Sequence, residues 1–424
     1  MSAAAEPAAT RWTAVLAATL CGVAVAMNVG KVPIAMPELR GEFGLSLVEA
    51  GWVSSMFNTL TVITGVLFGM TSDRVGALRT CFIGLAVSAL GGLAGILSVD
   101  GAALLASRFC EGAGYLAVAV SAPALLSAAS RAEDRRFALG IWATYLPAGV
   151  GLTMITAPLL LRLDGWRGVW AFELCVLVFA AAAIYACRRD YRGAHPGAQR
   201  ARRTDAGAQS FAPAMAALRQ PAAWLLALAF GSFTAQHFAL IIWLPTFLRE
   251  QRGYPATTVS LLASLMIIVN VPGNLLGGAL VQRNFRRGRL IAAASLATGL
   301  CGVGIFSAAL PDDLRYALCL ALSFFGGIVP AAVISSSAVL ARSPQQVGTL
   351  QGLFMQGSNL GQFISPPLIA ALVAASGDWH DALWVTASAA GLGIGLGLAL
   401  GATGFRESPG SPGIAVSESA PACR

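Results

Sequence analysis

The chain has 424 residues, of which 56% are apolar and only 11% charged, with a formal net charge of +8. A soluble domain carries roughly a quarter charged side chains, and a fold of this length in water could not hide so much apolar surface, whereas hydrocarbon accepts it. Composition therefore excludes a water-soluble enzyme or binding module and implies an integral membrane protein.

Taken in chain order, twelve apolar runs predict membrane helices over 12–35, 48–72, 78–98, 102–128, 136–161, 166–187, 221–248, 257–281, 289–310, 313–341, 347–376 and 379–403. The first run lacks the short core and small-residue cleavage site of a secretory signal, so it is expected to remain as a helix. Connections are short except for the arginine-rich stretch between the sixth and seventh runs. The expected organisation is an N-terminal six-helix bundle (1–187), a cytoplasmic linker (188–220), a C-terminal six-helix bundle (221–405) and a Pro- and Ser-rich tail (406–424) too poor in apolar residues to fold. With the N-terminus placed in the cytoplasm, 20 arginines fall in inside segments and 6 in outside segments, while Lys31 and Arg108 lie within spans. That bias predicts that both termini are cytoplasmic. The positive charge is thus a topology signal, and nucleic acid is not an expected partner.

Eight cysteines are scattered without a C-x-x-C pair and read as small packing residues. Zinc-protease, phosphate-loop and nucleophile-elbow patterns are missing, so enzymatic activity, a metal and a cofactor are not expected. Gly391, Gly393, Gly395 and Gly397 lie inside an apolar run and predict close helix packing rather than a nucleotide loop.

Ionisable side chains at membrane depth are costly and mark a pathway or an internal pair. Lys31, the only lysine, sits about one turn inside the predicted outer end of the first span, with Asn28 one turn earlier. It is either an interfacial anchor that snorkels outward or a contact for an anionic substrate. Arg108 and Glu111 are three apart, hence on one helix face, at roughly 9 and 14 Å from the outer end of their span. They form either a self-neutralising structural pair or a substrate contact and a proton carrier. Glu173 falls at similar depth in the sixth span and can pair with Lys31 or Arg108, or serve as a second proton site. The second half offers His237 beside Gln236, and the amides Asn270, Gln356 and Asn359 near mid-span. These are either helix-to-helix glue or neutral substrate contacts, His237 being a buried histidine or a titrating one. The asymmetry assigns proton chemistry to the first half and neutral recognition to the second.

The two halves also repeat. Gly69, Asp73 and Arg74 align with Gly278, Gln282 and Arg283 at an offset of 209, and Gly140, Gly149 and Pro158 align with Gly348, Gly357 and Pro366 at 208. The segment Gly69-Met-Thr-Ser-Asp73-Arg74-Val-Gly76-Ala-Leu-Arg79 resembles the cytoplasmic loop signature of the major facilitator superfamily, and Leu104-Leu-Ala-Ser-Arg108-Phe-Cys-Glu111-Gly112 resembles its fourth-helix motif. Trp243-Leu-Pro245-Thr-Phe-Leu together with Lys31-Val-Pro33-Ile-Ala-Met-Pro37 is similar to the cyanate and nitroimidazole transporter-like branch of bacterial members. The resemblance spans essentially the whole chain. It implies an all-α membrane protein of twelve transmembrane helices in two pseudo-symmetric six-helix bundles, monomeric and in the bacterial inner membrane. The 69–79 loop, with Arg283 in the weakened second copy, is then either a charge clamp that gates the cytoplasmic side or a plain polar turn.

The expected function is secondary active transport, proton-coupled, of a small organic anion by alternating access, with symport preferred. The alternatives are efflux of hydrophobic or toxic compounds by proton antiport and, more remotely, a polytopic membrane sensor or enzyme.

Overall fold

The computed structural model describes residues 9–71, 76–131, 133–142, 144–194, 212–307, 309–342 and 344–403. Asp73 and Arg74 of the expected clamp, residues 195–211 of the expected linker and the expected tail lie outside the described residues. Within them the regular structure is entirely helical. The first four spans are α1 (Trp12–Phe43), α2 (Leu47–Ser55 and Thr59–Thr71, joined by a 3₁₀ turn over Met56–Asn58), α3 (Ala77–Ile96) and α4 (Gly101–Ala129). A short helix, Arg135–Trp142, then leads into one unbroken helical assignment, Tyr145–Ala186.

That assignment is two spans. At about 1.5 Å per residue its length is roughly twice the ~30 Å hydrocarbon core, and Asp164 and Gly165 have non-helical dihedrals, Gly165 at φ +59°. Contacts with α1 fix the reversal. Gly22 packs on Trp142 and Tyr145, and Gly30 on Val150 and Thr153, so residues 145–163 (α5) run alongside α1 in its own direction. Glu42 meets Trp166, Lys31 meets Glu173 and Cys21 meets Ala180, so residues 166–186 (α6) run back against it. Among the described residues eleven helices are long and apolar enough to cross a membrane, and dividing this one gives the twelve the sequence predicts.

The remaining spans are α7 (Pro221–Glu250), α8 (Ala256–Gln282), α9 (Arg287–Ile305), α10 (Asp312–Gly326 and Ile328–Leu340), α11 (Pro344–Ser376) and α12 (Ala382–Ala402). Three boundaries differ from expectation by five residues or more. The fifth span starts later, because residues 136–142 belong to the separate short helix. The ninth ends at Ile305 instead of 310. Most consequentially, α1 runs eight residues past the expected 35, through Pro33 and Pro37 to Gly44, whose φ of +61° closes the helix with an N–H bond to the Arg40 carbonyl oxygen. Hydropathy falls where Glu38, Arg40 and Glu42 begin, but the backbone ladder continues, since neighbouring helices tolerate proline within a membrane helix.

α1–α6 and α7–α12 form two bundles with repeated packing. A Cβ on Gly149 of α5 would stand 2.4 Å from the Val23 carbonyl oxygen of α1, and one on Gly357 of α11 would stand 2.2 Å from the Ala227 carbonyl oxygen of α7. The glycines paired by the 208-residue offset thus make the same backbone approach in each half. Gly393 and Gly397 of α12 pack closely on α9 at Ser295 and Ala292, as expected, whereas Gly391 and Gly395, expected to do the same, meet nothing within 4 Å among the described residues. Between bundles, α2 packs along α11: a Cβ on Gly51 would lie 2.8 Å from Pro367 Cα, the rings of Trp52 and Phe363 are 5.5 Å apart, and Gly65 faces Gln356. At the arginine-poor face, where α1 ends, Arg40 bonds Glu250 at the end of α7 at 2.9 Å.

Candidate functional site

The four ionisable residues singled out in the first half converge on one spot. Lys31 Nζ lies 2.6 Å from Glu111 Oε1 and 2.5 Å from Glu173 Oε2, and Arg108 Nη1 bonds Glu111 Oε2. All four are buried, at 0% or 1% exposure. Two cations and two carboxylates make the group neutral, which is the condition on which such charges persist away from water.

Local packing explains the convergence. Lys31 lies twelve residues before the end of α1 and not one turn from it, because α1 continues to Phe43. Its full burial rules out the interfacial anchor. The side chain of Arg108 crosses to α1 and α2: Nη2 donates to the Asn28 carbonyl oxygen at 3.0 Å and Nε to that of Val53 at 3.3 Å. Asn28 Nδ2 in turn donates to Ser88 Oγ of α3 at 3.1 Å. Gly91 of α3 supplies the room, since a Cβ there would come within 2.9 Å of Glu111 Cγ. Likewise Gly112 of α4 admits the bend of α2, its own imaginary Cβ falling 1.9 Å from the Phe57 carbonyl oxygen.

Two aromatic rings complete the charge cradle. Lys31 Nζ sits 4.4 Å from the Trp170 ring centre and the Arg108 guanidinium 4.9 Å from that of Phe57, geometries in which a ring face attracts a cation. Neither residue stood out in the sequence, although Trp170 lies three before Glu173 and so on its helix face. Glu111 has both oxygens engaged, whereas Glu173 Oε1 and Trp170 Nε1 have no hydrogen-bond partner among the described residues.

Arg108 is also the member of the cluster that reaches the seam between bundles. A small pocket there is lined by Ser54, Phe57 and Asn58 of α2, Arg108 of α4, Phe238 and Ile242 of α7, and Gln362 and Pro366 of α11, with Val29 and Val32 of α1. Ser54 Oγ is buried without a partner among the described residues. The space is about 10 Å³, room for no more than a water, and the Arg108 guanidinium is the charged group on its wall.

The candidates of the second half do not join them. His237 Nε2 and Ser323 Oγ are 2.9 Å apart; because Ser323 Oγ donates to the Met266 carbonyl oxygen at 2.5 Å, it accepts from the histidine. The His237 ring also stacks on Phe233. Asn270 Nδ2 donates to the Ser323 carbonyl oxygen at 2.8 Å and Asn359 Nδ2 to that of Met355 at 2.8 Å. Gln356 Nε2 donates to the Val62 carbonyl oxygen of α2, a bond across the two bundles. Gln236 Nε2 reaches the Ser232 carbonyl oxygen within its own helix, and its Oε1 is buried with no partner among the described residues. Their amides mostly bind backbone carbonyls, which is the gluing role. Of the loop residues, Gly69 is in α2, Gly76 precedes α3 with φ +93°, and Arg79 and Arg283 are exposed.

Comparison with known proteins agrees with this architecture. The profile of the Major Facilitator Superfamily matches residues 18–366. The chain is 24% identical over 367 residues to the probable sulfoacetate transporter SauU of Cupriavidus necator, covering 82% of this chain and 84% of that one. It is 29% identical over 165 residues to the methylenomycin A resistance protein of Bacillus subtilis, covering 38% of this chain and 34% of that one. Its fold matches that of a bacterial homolog of the human lysosomal transporter Spinster, in an inward-facing and occupied conformation, with a TM-score of 0.77 and 15% identity over 95% of this chain and 99% of the other.

Proposed function

The chain belongs to the major facilitator superfamily, and from that premise we propose that this transporter carries a small organic anion together with a proton by alternating access. The carrying observation is the neutral cluster of Lys31, Arg108, Glu111 and Glu173, buried in the first bundle with Arg108 at the seam. An anion bound to Arg108 competes with Glu111 for the guanidinium and adds one negative charge to a neutral, buried group. A proton taken up with it restores neutrality. Glu173 is the carboxylate suited to take it, because one of its oxygens has no partner among the described residues while both oxygens of Glu111 are held. Substrate and proton then move together because each stabilises the other in one of the two states.

The relative matched over most of its length is a probable sulfoacetate transporter, which supports an acid with a carboxylate or sulfonate group as the cargo. The proposal extends to import across a bacterial inner membrane by a monomer with both termini cytoplasmic, to the division into bundles at 1–187 and 221–405, and to the Asp73–Arg74 loop as a cytoplasmic clamp. Similarity to a resistance protein over about a third of the chain supports a second reading, proton-driven efflux of hydrophobic compounds.

Proteoliposomes decide between them. With small carboxylates and sulfonates offered outside, uptake of at least one should rise when an inward proton gradient is imposed, and Glu173→Gln should abolish that response while leaving counterflow exchange. Full gradient-driven uptake in both Glu173→Gln and Glu111→Gln would remove proton coupling. If Arg108→Ala binds acids normally but loses tolerance of apolar toxins, the efflux reading prevails.

A further inference from the structure

A second cavity, unrelated to the ion cluster, lies wholly within the second bundle. Its volume is about 310 Å³, and every residue around it falls between Ala239 and Ala382. It reaches the arginine-poor face at Arg252, Tyr254, Asp312 and Asp313, all exposed.

The walls are ring faces and aliphatic side chains. Trp243 and Phe247 of α7 meet Trp379 at centroid distances of 5.8 and 6.1 Å, and Tyr316 of α10 also lines the space. The polar atoms of two of these rings are already used: Trp243 Nε1 donates to the Pro366 carbonyl oxygen at 3.1 Å, and Tyr316 Oη to that of Leu262 at 2.9 Å. What Trp243 and Tyr316 present inward is apolar. Such a space holds water poorly, and a cavity of about 150 Å³ lined this way takes up benzene. Twice that volume suits two rings, and it falls at the lower end of the roughly 300–1,000 Å³ of ordinary small-molecule sites.

Charge at the mouth argues for a neutral occupant. Arg252 Nε and Arg315 Nη1 share the Asp312 carboxylate at 3.0 and 3.3 Å, and Arg315 Nε also donates to the Ile305 carbonyl oxygen at 2.6 Å. With Asp313 beside them the four charges cancel. An ion entering here would have to break a pair and leave water for a dry interior, whereas an uncharged ring gains burial at no such cost.

We propose that this cavity is a binding site for an uncharged compound of two fused or linked rings, separate from the anion site at the seam. Cys319 lines the cavity and is 2% exposed, so it reports occupancy. The test uses the full chain in lipid nanodiscs with the seven other cysteines replaced by alanine. The rate at which methyl methanethiosulfonate converts Cys319 to its mixed disulfide is followed by intact mass, with 1-naphthol as the ligand probe and 1-naphthalenesulfonate as its charged counterpart.

At ten times its Kd, 1-naphthol should slow the reaction roughly tenfold, the fraction of empty sites setting the rate, and the sulfonate should leave it unchanged. Ala382→Phe, which fills the cavity, should remove the protection; Ala239→Leu is the milder filling variant if the first does not fold. Equal protection by the sulfonate, protection that survives filling, or a thiol that never reacts in the free protein would each overturn the site. A rise in Tm of the unaltered chain with 1-naphthol, lost in the filled variant, is the second expected result, and an unchanged Tm in the unaltered chain counts against it.

Discussion

At the scale of single residues, the cluster around Lys31 is a set of charges that survive only in each other's company. Lys31→Met leaves Glu173 without its cation and Glu111 with one of its two. Breaking a buried pair in this way costs about 3–5 kcal/mol. Adding Glu173→Gln removes the orphaned charge, so the double variant should unfold at a higher temperature than Lys31→Met alone; a double variant damaged by the sum of both changes would refute the pairing. Arg108→Lys keeps the charge but loses the fork that bonds Asn28, Val53 and Glu111 together. Each lost bond to a charged group is worth about 1.5–3 kcal/mol, so transport should fall at least about tenfold, measured as initial uptake. Much of this was legible in the sequence, because depth along a span can be counted: Arg108, Glu111 and Glu173 fall at similar levels. Azimuth cannot be counted, and for Lys31 counting from the end of the apolar run gives too shallow a depth, since the helix continues to Phe43. The amides Asn270, Gln356 and Asn359 were illegible for another reason. Their partners are mostly backbone carbonyls, which every sequence supplies everywhere.

At the scale of elements, glycine placement decides which helices can touch. Gly112 of α4 and Gly273 of α8 each face a carbonyl oxygen, of Phe57 and Phe324, that a Cβ would approach to 1.9 Å. Backbone cannot yield as a flexible side chain does, so Gly112→Ala and Gly273→Ala must push helices apart, at a cost of about 1–3 kcal/mol or more. Gly391→Ala and Gly395→Ala meet nothing within 4 Å, and alanine is favoured over glycine inside a helix by about 0.5–1 kcal/mol. Thermal unfolding of the four variants should therefore split them, the first two with lowered Tm and the last two with Tm unchanged or raised. Four equal shifts would mean that helix contacts do not rest on these glycines. Helix existence was readable from hydropathy throughout. Helix ends were readable only in part: the reversal at Asp164–Gly165 falls in the gap that hydropathy leaves between 161 and 166, whereas the cap at Gly44 is a matter of dihedral angles at one residue beyond a polar stretch that is still helical.

At the scale of the whole molecule, the repeat offsets gave away the two-bundle plan, and the seam between bundles now sets what alternating access requires. The Arg40–Glu250 pair joins α1 to α7, but its side chains are 27% and 36% exposed, and exposed pairs contribute only about 0–1 kcal/mol. It is weak enough to open in every cycle. Arg40→Glu should thus shift the balance of states by no more than about fivefold, and the exchange Arg40→Glu with Glu250→Arg should recover it. The stronger constraint is the long contact of α2 with α11, where Gly51 touches Pro367 and the Trp52 and Phe363 rings meet at 5.5 Å. If the bundles rock about a central site, this contact must separate at the arginine-poor end. In a chain cleared of its native cysteines, Trp52→Cys with Phe363→Cys should form a disulfide on mild oxidation, stop uptake and counterflow alike, and regain both on reduction. Uptake that persists with the crosslink formed would show that α2 and α11 need not part there, and alternating access would then have to proceed by another motion.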